Sequence, residues 1–215
     1  MSHYRSLLTS ALMFAALTFV ATSAVQAQVG KGILDANLVP EVELATLVPG
    51  MTPAIAKALV AARPFASIVD LNKFLVDQKL TKEQIDAFYQ KAFVHVNLNT
   101  ATGEEILLVP GAGKRMAREF PEYRPWKSWA QFDKEISKYV GQPETDRLKK
   151  YVFIPVNLNT ATDEDIISIP GAGRRMQREF KEYRPWKTKE QFQKEIGKYV
   201  DAKEVARLWR FVVIQ

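Results

Sequence analysis

Residues 109–120, VPGAGKRMAREF, and their echo at 169–180, IPGAGRRMQREF, combine two glycines one residue apart with a dense run of cations. Glycine lets the backbone bend tightly between helices and brings bare N–H groups to the surface. Where the second glycine also opens a helix, those N–H groups and the positive end of the helix dipole point the same way, which makes a seat for an anion. Lys114, Arg115 and Arg118 stand beside the first bend, and Arg174, Arg175 and Arg178 beside the second. A backbone phosphate is the ligand that suits Gly111, Gly113, Gly171, Gly173 and these six cations. The opposing interpretation needs no ligand: the glycines allow close helix packing, and the arginines pair with the interleaved acids Glu119, Glu122, Glu179 and Glu182 on a solvated face.

The elements that must position these residues come from a duplication. Setting 96–155 against 156–215 without a gap gives 37 identities in 60 positions, including VNLNTAT, PGAG and EYRPWK. A weaker first copy precedes them: Pro49-Gly50 matches Pro110-Gly111, and Arg63-Pro64-Phe65 matches Arg124-Pro125-Trp126, both at an offset of 61. The chain therefore divides into units at 33–95, 96–155 and 156–215. Side-chain oxygens that can satisfy the free N–H groups of a helix start recur, each with an acid or amide three residues on. These are Thr81 with Gln84, Thr102 with Glu105, Ser128 with Gln131, Thr162 with Asp165, Thr188 with Gln191 and Asp201 with Glu204. Each unit reads as four short helices, which in the second run over 103–109, 113–122, 129–138 and 143–150. Met116, Phe120 and Tyr123, and their copies Met176, Phe180 and Tyr183, are spaced to face a core. The apolar runs YVFIPVNLN and FVVIQ read as extended connectors. Asn97, Asn99, Asn157 and Asn159 read as turn-closing or capping residues. Trp126 and Trp186 stand where Phe65 stands in the first copy, as core residues do, although exposed tryptophans could stack on single-stranded bases.

Composition narrows the classes. The 215 residues are 47% hydrophobic and 25% charged with a net charge of +6, an ordinary globular balance. At the N-terminus Arg5, an apolar stretch over 7–20 and small residues up to Val25-Gln26-Ala27 fit a cleaved signal peptide over 1–27, which predicts a periplasmic or secreted protein with no stable membrane insertion afterwards. Retention of that segment as an anchor is the alternative. There is no cysteine, and His95 is the only histidine beyond the signal, so thiolate metal sites are excluded and no cofactor is expected. One histidine and surface carboxylates leave few candidates for acid–base catalysis, and no small-molecule substrate is expected; the sequence reads as a non-enzyme.

The VNLNTAT segment, the acids and apolar residue after it, PGAG, Ala117 and YRPW together resemble the helix-hairpin-helix proteins of the ComEA type. The likeness covers 96–215 and, less closely, 33–95. It implies an all-α fold of three tandem four-helix modules after the signal peptide. It also implies non-specific binding of double-stranded DNA through backbone phosphates, as in DNA uptake during competence. Gly111, Gly113, Lys114, Arg115, Gly171, Gly173, Arg174 and Arg175 fall on the family's contact positions, and hairpin carbonyls in the family can hold a monovalent cation. Ala112 and Ala172 replace a bulkier residue, and Gln177 replaces a small one. In the first unit Thr52 stands where the second glycine belongs, with no basic cluster after it, so DNA contact is expected in the two C-terminal units. That unit is also similar to PsbU, which uses the fold for protein contact. The alternative function is therefore an envelope scaffold that binds a protein partner instead of DNA.

Overall fold

The computed structural model describes residues 32–215, and the signal peptide expected over 1–27 lies outside them. The described chain is mostly helical, with a few two-residue strands. The first stretch runs β1 (Leu34–Asp35), α1 (Glu41–Leu47), α2 (Pro53–Ala62), α3 (Ile68–Asp77), α4 (Lys82–Tyr89) and β2 (Ala92–Phe93). The second runs β3 (Val96–Asn97), α5 (Gly103–Leu107), α6 (Gly113–Glu122), α7 (Trp129–Leu148) and β4 (Val152–Phe153). The third runs β5 (Val156–Asn157), α8 (Asp163–Ser168), α9 (Arg174–Glu182), α10 (Lys189–Ile196), α11 (Ala202–Trp209) and β6 (Val212–Val213).

The apolar runs expected to be connectors instead pair. β1 lies parallel to β2, β3 to β4 and β5 to β6, with Val96 opposite Val152 and Val156 opposite Val212. A parallel pair needs a long crossover, and the intervening helices supply it, so each short ladder ties the start of its stretch to its end. Two residues per strand are too few to be seen as a strand from sequence; the partner's backbone makes them one.

Most helix starts follow the local signals. Thr81, Thr102 and Thr162 make full capping boxes with Gln84, Glu105 and Asp165. Ser128 and Thr188 accept from the N–H of Gln131 and Gln191, but those glutamines turn back to the N–H groups of Lys127 and Lys187. The two helices expected after Ser128 form one element, α7, broken at Gly141, whose φ of 76° is open to glycine and costly for other residues.

Trp126 and Trp186 are 1% exposed, and each indole N–H donates to the Phe120 or Phe180 carbonyl, at 2.8 and 2.7 Å. Burying such a ring stabilises by roughly 5 kcal/mol on area grounds. Trp129 stays 40% exposed, and Trp209 packs against Phe192. The asparagines are structural: Asn97 and Asn157 accept from the N–H of Asn99 and Asn159, which in turn pin the backbones of Trp126 and Trp186. One apolar core runs through the first two stretches, bridged by Phe93 against Tyr151, and a second fills the third. Among the described residues no helix is long and apolar enough to cross a membrane.

Candidate functional site

The turn between α5 and α6 closes with the N–H of Ala112 donating to the Val109 carbonyl at 3.0 Å, and the turn between α8 and α9 repeats it from Ala172 to Ile169. Ala112 and Ala172 are buried between their helices, while Gly111, Gly113, Gly171 and Gly173 are exposed. Gly111 and Gly171 have φ of 76° and 75°. The second glycines differ: Gly113 has φ 61° and lies inside α6, whereas Gly173 has φ −73° and ψ −176° and precedes α9. Neither α6 nor α9 receives a side-chain cap. Their first amides therefore keep the donor capacity that a capping oxygen elsewhere absorbs.

The six cations sit on the exposed side of α6 and α9. Lys114 and Arg174 have no ion-pair partner among the described residues. Arg115 lies over the Tyr139 ring at 5.8 Å, with Nη1 donating to the Tyr139 carbonyl at 3.4 Å, and Arg175 lies over the Tyr199 ring at 4.8 Å. Arg118 and Arg178 pair with Glu119 and Glu179 at 3.8 and 3.1 Å. The pairing with interleaved acids thus takes one cation of three at each turn.

Tyrosine hydroxyls keep those acids occupied. Tyr123 and Tyr139 meet at 2.7 Å, and Tyr183 and Tyr199 at 2.9 Å. These contacts, with burial and hydrogen bonds to Glu119 and Glu179 adding to them, push the Tyr139 and Tyr199 hydroxyls well above the usual phenol range. In return the Tyr199 hydroxyl holds the buried Glu179 carboxyl below the usual carboxylate range. A carboxylate already accepting a tyrosine proton is a weaker competitor for Arg115 or Arg175, which stack on the ring instead.

Two residues at the turns were not singled out from sequence. The Arg147 guanidinium fills the space where a Cβ on Gly111 would stand, donating from Nη2 to the Pro110 carbonyl at 2.5 Å and pairing with Glu144 at 2.5 Å. Arg207 also stands beside Gly171, 2.8 Å from where that Cβ would be, and pairs with Glu204 at 2.6 Å. The signal was present as Glu-x-x-Arg repeated at an offset of 60. At the first of these turns the Pro110 carbonyl is thus already taken by a guanidinium. Leu38 of the first stretch also reaches to within 3.2 Å of the Cβ position at Gly171. Among the described residues no three histidine, cysteine or acidic side chains gather where they could hold a metal ion.

No protein-family model, no curated protein and no solved structure matches this chain.

Proposed function

We propose that the chain is an exported, non-enzymatic protein of three helix-hairpin-helix modules, similar to the ComEA type, that holds double-stranded DNA without sequence preference through its backbone phosphates. The observation that carries this is a coincidence at two turns. Uncapped helix amides lie beside exposed cations, and Lys114, Arg115, Arg174 and Arg175 are outside any carboxylate ion pair among the described residues. Phosphate oxygens can accept from both the amides and the guanidinium forks, and contacts of that kind position a protein on a duplex without reading bases. DNA uptake across an envelope is the setting that this chemistry and the expected signal peptide suit together.

The scaffold reading has one observation in its favour. Leu38 approaches Gly171, so part of the third turn already faces protein. A partner-binding role would use the same fold without phosphate contacts.

Fluorescence anisotropy with a labelled random duplex over a salt series separates them. Two or three phosphates neutralised per turn predict a log–log salt slope of about −4 to −5 and affinity near micromolar at physiological salt. Replacing Lys114, Arg115, Arg174 and Arg175 together by alanine is expected to abolish this binding with little change in melting temperature. No binding by the unaltered chain at low salt would leave only the scaffold.

A further inference from the structure

Buried polar groups are almost always paired, and leaving one unpaired is destabilising. Five side-chain atoms around one seam depart from this. Asp35 Oδ2, Arg63 Nε and Nη2, Arg207 Nη1 and Arg210 Nη1 are shielded from solvent without a hydrogen-bond partner among the described residues. The seam joins the two ends of the described chain. Arg207 Nη1 stands 3.9 Å from Asp35 Oδ2, too far for a hydrogen bond, and Arg210 Nη2 donates to the His95 carbonyl at 3.0 Å.

The copies of these residues serve as internal controls. Arg124 donates the same two nitrogens, Nε and Nη2, to the carbonyls of Leu98 and Ala101, and Arg184 donates them to Leu158 and Ala161. Arg63 leaves both unused. Lys150 stands in the place of Arg210 and is exposed. Asn97 and Asn157 stand in the place of Asp35 and close the same turn without a charge: Asp35 Oδ1 accepts from the Asn37 N–H at 2.8 Å, as their side-chain oxygens do from Asn99 and Asn159. Arg63 thus lacks the carbonyl bonds of its copies and Arg210 the exposure of Lys150, Arg207 keeps the acid pair of Arg147 while its Nη1 goes unpaired, and the seam has gained one carboxylate.

Charge and hydrogen-bonding capacity are both unbalanced there. Arg207 is 2% exposed and is neutralised by Glu204. That leaves Arg63 and Arg210 to share Asp35, with Glu105 and Asp70 acting on Arg210 from farther off. Burial pulls Arg63 down to about 10, and Arg210 also down, with Asp35 only partly offsetting it. Four donor nitrogens and one acceptor oxygen are left unpaired around the seam. A water molecule brings as many donors as acceptors and cannot correct that excess, whereas an oxyanion brings acceptors alone. A tetrahedral one also presents oxygens toward forks that arrive from different elements.

We infer that the seam formed by Asp35, Arg63, Arg207 and Arg210 is a binding site for one small tetrahedral oxyanion of the phosphate or sulfate class, clamping the first stretch of the chain to the last. It abuts the Gly171 turn through Arg207, but it uses none of the six cations at the turns and does not depend on DNA binding. Because the site needs both ends of the chain, an anion that binds only the folded form stabilises it by mass action.

The test is isothermal calorimetry and thermal unfolding of the whole chain with sodium phosphate or sulfate, at ionic strength held constant with sodium chloride. One equivalent is expected to bind saturably and to raise the melting temperature by several degrees. Arg63→Met is expected to abolish the response, and the fourfold alanine variant of Lys114, Arg115, Arg174 and Arg175 to retain it. Asp35→Asn keeps the turn, as Asn97 and Asn157 show, and removes a repelling charge; it is expected to tighten oxyanion binding about tenfold. The proposal is overturned if no saturable binding occurs, if binding survives Arg63→Met but is lost in the fourfold variant, or if Asp35→Asn weakens it. The Asp35→Asn result carries the decision should Arg63→Met fail to fold.

Discussion

The first turn of the chain and the two later ones solve the same problem with different residues. At Gly50-Met51-Thr52 the Thr52 hydroxyl accepts from the Ile55 N–H at 3.2 Å, so α2 begins with its own cap. At Gly111-Ala112-Gly113 and Gly171-Ala172-Gly173 a glycine occupies that place and the helix starts uncapped. The first turn has no cation in the following helix turn except Lys57, whereas the others carry three each. The difference teaches that a single side-chain oxygen decides whether a helix start is internally complete or open to an outside acceptor. A second contrast lies within the near-copies, since Gly113 is left-handed and Gly173 is extended although the sequences around them match.

The largest expected effect exploits that second contrast. Gly113→Ala forces a side chain into the left-handed region and should destabilise by about 1–2 kcal/mol. Gly173→Ala meets no atom within 4 Å and adopts a conformation open to any residue, so it should be neutral or stabilise by up to about 1 kcal/mol. Urea midpoints of the two variants measure this; equal losses would mean that the turns share one conformation. Next, Gly173→Thr copies Thr52 onto a backbone that already matches it in φ. It should stabilise by about 0.5–1 kcal/mol and, under the proposed DNA-binding role, weaken duplex binding roughly tenfold, because the new hydroxyl would compete with phosphate for the same amides. A gain in stability with unchanged DNA affinity would detach the turn from any phosphate role. The reverse exchange, Thr52→Gly, should cost only a few tenths of a kcal/mol by thermal unfolding, since glycine is itself tolerated before a helix.

The smallest effect is in acid. The first stretch has Ala62 where the later ones have Tyr123 and Tyr183, and so lacks the tyrosine pair. Glu179 is held below its ordinary value of 4.5, first by the Tyr199 hydroxyl. A carboxyl whose pKa falls on folding stabilises the fold above its unfolded pKa, and that contribution is lost as pH drops through the folded value. Melting temperature should therefore fall below about pH 4.5, and Tyr199→Phe should flatten the fall. An unchanged profile would show that the tyrosine bond does not act on the carboxyl.

Much of the fold is readable because its signals are local. Thr81, Thr102 and Thr162 cap helices through residues three positions away, Met116 and Phe120 share a helix face, and Gly111 turns a chain that no other residue turns as cheaply. The candidate site is half readable for the same reason: the glycines and the six cations lie in one run. Arg147 and Arg207, which brace those turns from 36 residues downstream of each first glycine, do not.

The sequence by itself determined where many helices begin, which aromatic rings are core, that Trp126 and Trp186 take the place of Phe65, and that Thr52 stands where the later turns have a second glycine. Only the tertiary structure decided which guanidiniums meet glycines, how two-residue strands find partners, that matching glycines differ in φ, and that Asp35, Arg63, Arg207 and Arg210 share a seam. The physical reason is range. Caps and turns are fixed by atoms within a few residues, whereas desolvation and ion pairing depend on which distant groups the packed chain brings together.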